Sequence, residues 1–99
     1  MQKLVTLAKT LSDINRVKIL SLLKREHELC VCEICDTLEL SQPLVSRHLK
    51  QMREALLIES KKEGKWIIYK LSLDENLHYL LDTIKGNIQI LPRLIKCLK

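Results

Sequence analysis

Three cysteines fall within six positions in the stretch Glu-Leu-Cys-Val-Cys-Glu-Ile-Cys, residues 28–35: Cys30, Cys32 and Cys35. Thiolates act as nucleophiles, as redox groups and as ligands for soft ions. A buried cysteine often serves as a small apolar filler, but three so close together beside acidic residues is an unusual way to fill a core. The last two make a Cys-x-x-Cys pair, a spacing that redox proteins use. The strand–helix–strand surroundings and the Trp and Pro of a thioredoxin-type site are missing. A soft-ion site fits best, because an ion of three-fold coordination needs no fourth ligand. A divalent ion such as zinc, cadmium or lead would add one, from His27 or a carboxylate.

Geometry constrains such a site. At about 100° per residue, Cys32 and Cys35 lie about 60° apart on one helix face. Cys30 lies roughly 140° from Cys35 and roughly 160° from Cys32. Sulfurs sharing one ion must come within about 4 Å of one another, given metal–sulfur bonds near 2.3 Å. A straight helix through residue 30 cannot bring all three together. Either the helix starts after Cys32, or binding unwinds its first turn. On this reading Cys32 ties the mobile start to the helix body, and its loss should hurt signalling most.

A second constellation follows directly. On a helix over residues 42–53, Gln42, Ser46, Arg47, Lys50 and Arg53 face outward, with no acid before Glu54. Arg and Gln suit bidentate contacts to guanine and adenine edges, and Lys and Ser suit phosphates. Lys61, Lys62 and Lys65 cluster just beyond, where charge could follow a duplex backbone. Base reading is expected of Gln42, Ser46 and Arg47, and phosphate neutralisation of Lys50 and the three later lysines. His48 is read as structural and His78 as a surface or interface residue.

These residues need elements to hold them. The 99 residues suffice for a single domain, residues 1–99, of ordinary globular composition. The net charge of +5 is unevenly spread: residues 28–40 carry four acids and no base, and residues 41–70 carry seven bases and three acids. A single-sign cluster on one element is the footprint of a polyanion partner, with a solvated basic face as the alternative. No apolar run approaches membrane-spanning length, and the amino terminus lacks a signal-peptide pattern. The expectation is a cytoplasmic protein with reduced thiols and no membrane partner.

Helical periodicity marks Leu4, Leu7, Ala8 and Leu11, then a wide apolar face through Ile14, Val17, Leu20 and Leu23, then a short helix through Val31, Ile34 and Leu38. After a tight break over residues 38–40, Ser41 caps the helix whose inward side is Val45, Leu49 and Met52. Two short helices joined by such a break are a helix-turn-helix. Residues 58–71 then change to strand formers around a turn at Gly64, giving the hairpin of a wing. Asp74 can cap a last helix carrying Leu77, Leu80, Leu81, Ile84, Ile88, Leu91, Ile95 and Leu98 along one side. The fold class expected is mainly α with a small β-hairpin, a winged helix-turn-helix of about five helices. The last apolar stripe is long for so small a core, which points to a homodimer.

The residue stretches 28–35, 40–58 and 63–72 together resemble the ArsR/SmtB family of metal-responsive winged-helix repressors, most closely its arsenic-responsive members. The resemblance covers about residues 4–73. It implies a non-enzymatic repressor that sits as a homodimer on a palindromic double-stranded operator and leaves it when As(III) or Sb(III) binds. Carried over residue by residue, Cys30, Cys32 and Cys35 become the three-thiolate site, with no permanent cofactor. The first and last helices become the dimer surface, here Leu4, Leu7, Leu77, Leu80, Leu81, Ile84 and Ile88. The carboxylate/histidine zinc site of some relatives does not fit, since Asp74 and His78 lack a second pair further on. Cys97 matches no family ligand. Two other classes stay open: a thiol oxidoreductase or thiol-redox regulator using Cys32 and Cys35, and an interaction module that dimerises without DNA.

Overall fold

The computed structural model describes residues 2–84. Its elements in chain order are α1 (Gln2–Thr10), α2 (Ile14–Glu26), β1 (Leu29–Cys30), α3 (Val31–Leu38), α4 (Gln42–Glu54), β2 (Ile58–Glu63), β3 (Trp66–Leu71) and α5 (Glu75–Ile84). Five helices and a hairpin match the fold class expected from sequence. No helix among the described residues is long and apolar enough to cross a membrane.

Three of the helices, α2, α4 and α5, begin where a side chain takes up a free amide. Asp13 Oδ1 accepts from Asn15 N at 2.8 Å, Ser41 Oγ from Leu44 N at 3.4 Å, and Asp74 Oδ1 from Asn76 N at 2.9 Å. Pro43 lies in the first turn of α4, where its missing N–H costs no helical bond. Between α3 and α4 the chain turns on Glu39, which takes the left-handed conformation at φ 56°.

The core gathers around α2, whose Ile19, Leu20, Leu22 and Leu23 are at most 1% exposed. Ile34 of α3 and Val45, Leu49 and Met52 of α4 pack with them, as do Leu7 of α1, Ile58 and Leu71 of the sheet, and Leu77 and Leu81 of α5. Burying each such side chain contributes about 1.5–3 kcal/mol. Ile14, expected on the inward face, is instead exposed at the first position of α2.

The sheet holds more than a hairpin. Its order is β1-β3-β2, all antiparallel. β2 and β3 pair from Ile58↔Leu71 to Glu63↔Trp66, around a two-residue turn that starts on Gly64 at φ 59°. That left-handed value favours glycine. β1 adds a third strand of two residues, Leu29↔Tyr69 and Cys30↔Ile68.

Candidate thiol site and nucleic-acid interface

The thiol stretch spans the joint between sheet and helix. Cys30 is the last residue of β1 and the N-cap of α3, with extended backbone (φ −90°, ψ 166°). Its amide donates to Glu33 Oε1 at 3.1 Å, so Glu33 satisfies the free end of α3 from three residues on. That Cys-x-x-Glu spacing is a capping signal the sequence reading passed over. The helix starts at Val31, so Cys32 is already in its first turn. A start after Cys32 is therefore not what the structure shows: without a ligand, Cys30 alone stands outside the helix. The residue at the boundary is therefore Cys30.

Cys30 is 1% exposed, and Cys32 and Cys35 are half-buried. Cys32 Sγ lies 3.5 Å from Asp36 Oδ2. Cys30 and Cys35 are free thiols. Burial raises the Cys35 thiol above its ordinary range, helped by the charge of Asp36. Among the described residues, no three His, Cys, Asp or Glu side chains are grouped closely enough to hold a metal ion. The three sulfurs are thus neighbours that a ligand would have to gather. His27 ends α2 at φ 74°, exposed. Cys97 lies outside the described residues.

The backbone joins this site to the elements that follow. Both Glu39 N and Leu40 N donate to Cys35 O, the latter at 3.1 Å, so the turn into α4 hangs from the carbonyl of a candidate ligand. On α4, Gln42, Ser46, Arg47, Lys50 and Arg53 are all exposed, while Val45, Leu49 and Met52 face the core. The polar face read from the sequence is present on one side of a single helix. Arg53 Nη1 also reaches Ser60 Oγ of β2 at 3.5 Å, which links α4 to the wing.

Lys61, Lys62 and Lys65 are exposed on the wing. Lys61 is not a free charge: its ammonium lies 3.1 Å from Glu28 Oε2 and 3.5 Å from Glu63 Oε1. The hydrogen bond and charge of Glu28, then Glu63, hold it above the ordinary lysine value. Sequence reasoning missed this pair because Glu28 and Lys61 are far apart in the chain and meet only through the β1–β3 pairing.

The residues expected at a dimer surface divide. Leu7, Leu77 and Leu81 are 0–3% exposed within the single chain. They form its own core, which corrects their assignment to an intermolecular face. Leu80 is half-buried, and the large apolar side chains exposed on these two helices, among the described residues, are Val5 and Tyr79. The side chains of Leu4 and Ile84, and all of Ile88, lie outside the described residues. His78, read as a surface or interface residue, is half-buried. Its Nδ1 faces Lys24 Nζ at 2.8 Å and its Nε2 faces Ser72 O at 2.8 Å. Lysine can only donate and a carbonyl only accept, so the proton sits on Nε2.

Residues 13–60 match the model of the bacterial regulatory protein arsR family. The chain is 49% identical over 63 residues to the arsenic resistance transcriptional regulator ArsR1 of Pseudomonas putida, covering 64% of this chain and 49% of that protein. It thus spans about half the length of that relative. It is 38% identical over 84 residues to ArsR2 of the same organism, covering 82% of this chain and 73% of ArsR2. A homologue of the cadmium resistance regulator CadC from Staphylococcus aureus is 39% identical over 74 residues, with 75% and 60% covered. Among solved structures, reduced HlyU from Vibrio cholerae superposes with a TM-score of 0.80 at 31% identity, covering 87% of this chain and 88% of that one.

Proposed function

From the premise that this chain belongs to the arsR family of bacterial regulatory proteins, we propose that it is a cytoplasmic, non-enzymatic transcriptional repressor. It binds operator DNA as a homodimer and releases it when As(III) or Sb(III) is taken by Cys30, Cys32 and Cys35. Gln42, Ser46 and Arg47 read bases, and Lys50, Lys61, Lys62 and Lys65 neutralise phosphates. One observation carries the reading. Cys30 is at once a candidate ligand, the N-cap of α3 and the strand partner of Ile68, while Cys35 O holds the turn into α4. Gathering three sulfurs around one centre must pull on the wing and the reading helix together.

The chemistry favours a metalloid. Arsenous acid is neutral at pH 7, and its three hydroxyls leave as water with the thiol protons, so As(SR)₃ forms without net proton release. A raised Cys35 thiol is no obstacle to that exchange. A divalent cation must instead displace a proton from each thiol, and its affinity climbs with pH. The cadmium-resistance relative supports this second reading, with His27 or a carboxylate as the added ligand.

The test is fluorescence anisotropy of DNA from the region upstream of the gene, with arsenite added to reduced protein. Operator release by arsenite is expected, lost in the Cys30/Cys32/Cys35 triple serine variant and kept in Cys97→Ser. A triple variant that still lets go normally would place the site elsewhere. Reciprocity adds a check, since operator must weaken arsenite binding by the factor that arsenite weakens operator binding.

A further inference from the structure

His48 stands beside Arg47 on α4 but faces the opposite way. It is 5% exposed, and neither ring nitrogen has a hydrogen-bond partner among the described residues. A buried polar group left so is costly, so its retention on a reading helix calls for a physical reason. The nearest acceptor is Asp13, whose Oδ2 lies 4.0 Å from His48 Nε2. Asp13 is already engaged through its other oxygen, Oδ1, as the N-cap of α2. Three residues on along both helices, Arg16 Nη1 donates to Gln51 Oε1 at 3.3 Å. Two polar links therefore run side by side from the start of α2 to α4, one made and one open. At 4.0 Å the open one is too long for a hydrogen bond, and about 1 Å of movement of α4 would close it.

We infer that Asp13 and His48 form a latch that closes when α4 seats on DNA, which makes His48 a positioning residue for operator reading. This rests on the DNA-binding reading above and adds a proton to it. The charged groups that act on the ring are Asp13 and Arg16 from α2, which it faces, and Arg47 beside it on its own helix. In the open arrangement burial, with the two arginines, holds the imidazole below its ordinary range against the pull of Asp13. Closing brings the carboxylate nearer and raises the ring's proton affinity. Linkage then requires operator binding to take up a proton, so operator affinity rises as pH falls towards 6. Random DNA, which need not seat α4, lacks that increment.

The experiment follows operator and random-duplex binding by anisotropy from pH 7.5 to 5.5, and the His48 ring signals by NMR in free and operator-bound protein. In the wild type, the operator-to-random ratio should rise several-fold as pH falls, and the His48 midpoint should move up on operator. Asp13→Asn keeps the cap and His48→Gln keeps a donor near the Nε2 position, but both should flatten the ratio against pH. His48→Gln should recover most of the operator affinity that His48→Leu loses. If the His48 midpoint is the same free and bound, or the ratio follows pH alike in wild type and His48→Gln, the latch is refuted. No operator binding by the wild type at any pH would instead overturn the DNA-binding reading, and the latch with it.

Discussion

Two side chains of the same charge are set to behave differently on DNA. Arg47 is exposed on the outer face of α4, so Arg47→Ala should cost about 1–3 kcal/mol on operator and little on random duplex. Lys62→Ala should weaken both alike and flatten the salt dependence by about one unit of slope. Lys61 has to leave Glu28 and Glu63 before it can meet a phosphate. Lys61→Ala is therefore expected to lose less than Lys62→Ala, and Glu28→Gln to tighten binding and steepen the slope. Anisotropy titrations across salt concentration decide between these; an unchanged slope in Glu28→Gln would rule out the internal competition. The thiols carry a pH signature as well. Arsenite affinity should stay level between pH 6 and 8, while cadmium affinity rises over that range, as competition titrations would read. An arsenite affinity climbing as steeply as cadmium's would contradict the neutral exchange.

At the scale of elements, the reading helix and the hairpin were legible because their signals are local. Ser41, Pro43 and the Val45–Leu49–Met52 spacing mark α4 without help from distant residues, and Gly64 marks its turn. β1 was not legible. Two residues cannot show alternation, and both are buried because the chain enters a helix directly behind them. The extent of α3 was legible, since its Val31–Ile34–Leu38 spacing spans the helix found, but the strand that pairs Cys30 with β3 just before it was not. The caps give a direct test: Ser41→Ala should lower stability to urea by about 1 kcal/mol. A free α4 N-terminus should also weaken operator binding. A loss of stability well below that, with binding intact, would show that the turn at Glu39 holds α4 alone.

At the scale of the molecule, the apolar stripe was legible as a pattern, but the pattern does not say which residues the chain keeps for itself. A helix lying against its own core spends its best-spaced leucines there. Leu77→Ala should thus act on folding, at about 2–5 kcal/mol, rather than on assembly. In the proposed dimer assembly falls to what stays exposed, and Tyr79→Lys is expected to weaken it with little effect on the fold. Light scattering should give twice the 11.6 kDa chain mass for the wild type and a lower mass for Tyr79→Lys. A wild-type monomer that still binds operator tightly would refute the twofold assembly. The two-residue strand β1 has a consequence in time. Its pairing with β3 closes a loop that contains α3, α4 and β2, so the entropy of that closure must be met by a very short ladder. So short a clasp is predicted to open more often than the long helices, even though Leu29 and Cys30 are themselves buried. The amide protons that join Leu29 and Cys30 to Ile68 and Tyr69 should exchange with solvent far faster than those inside α2. The inducer would then need to force nothing open: it waits for a breathing motion and captures Cys30 while the clasp is undone.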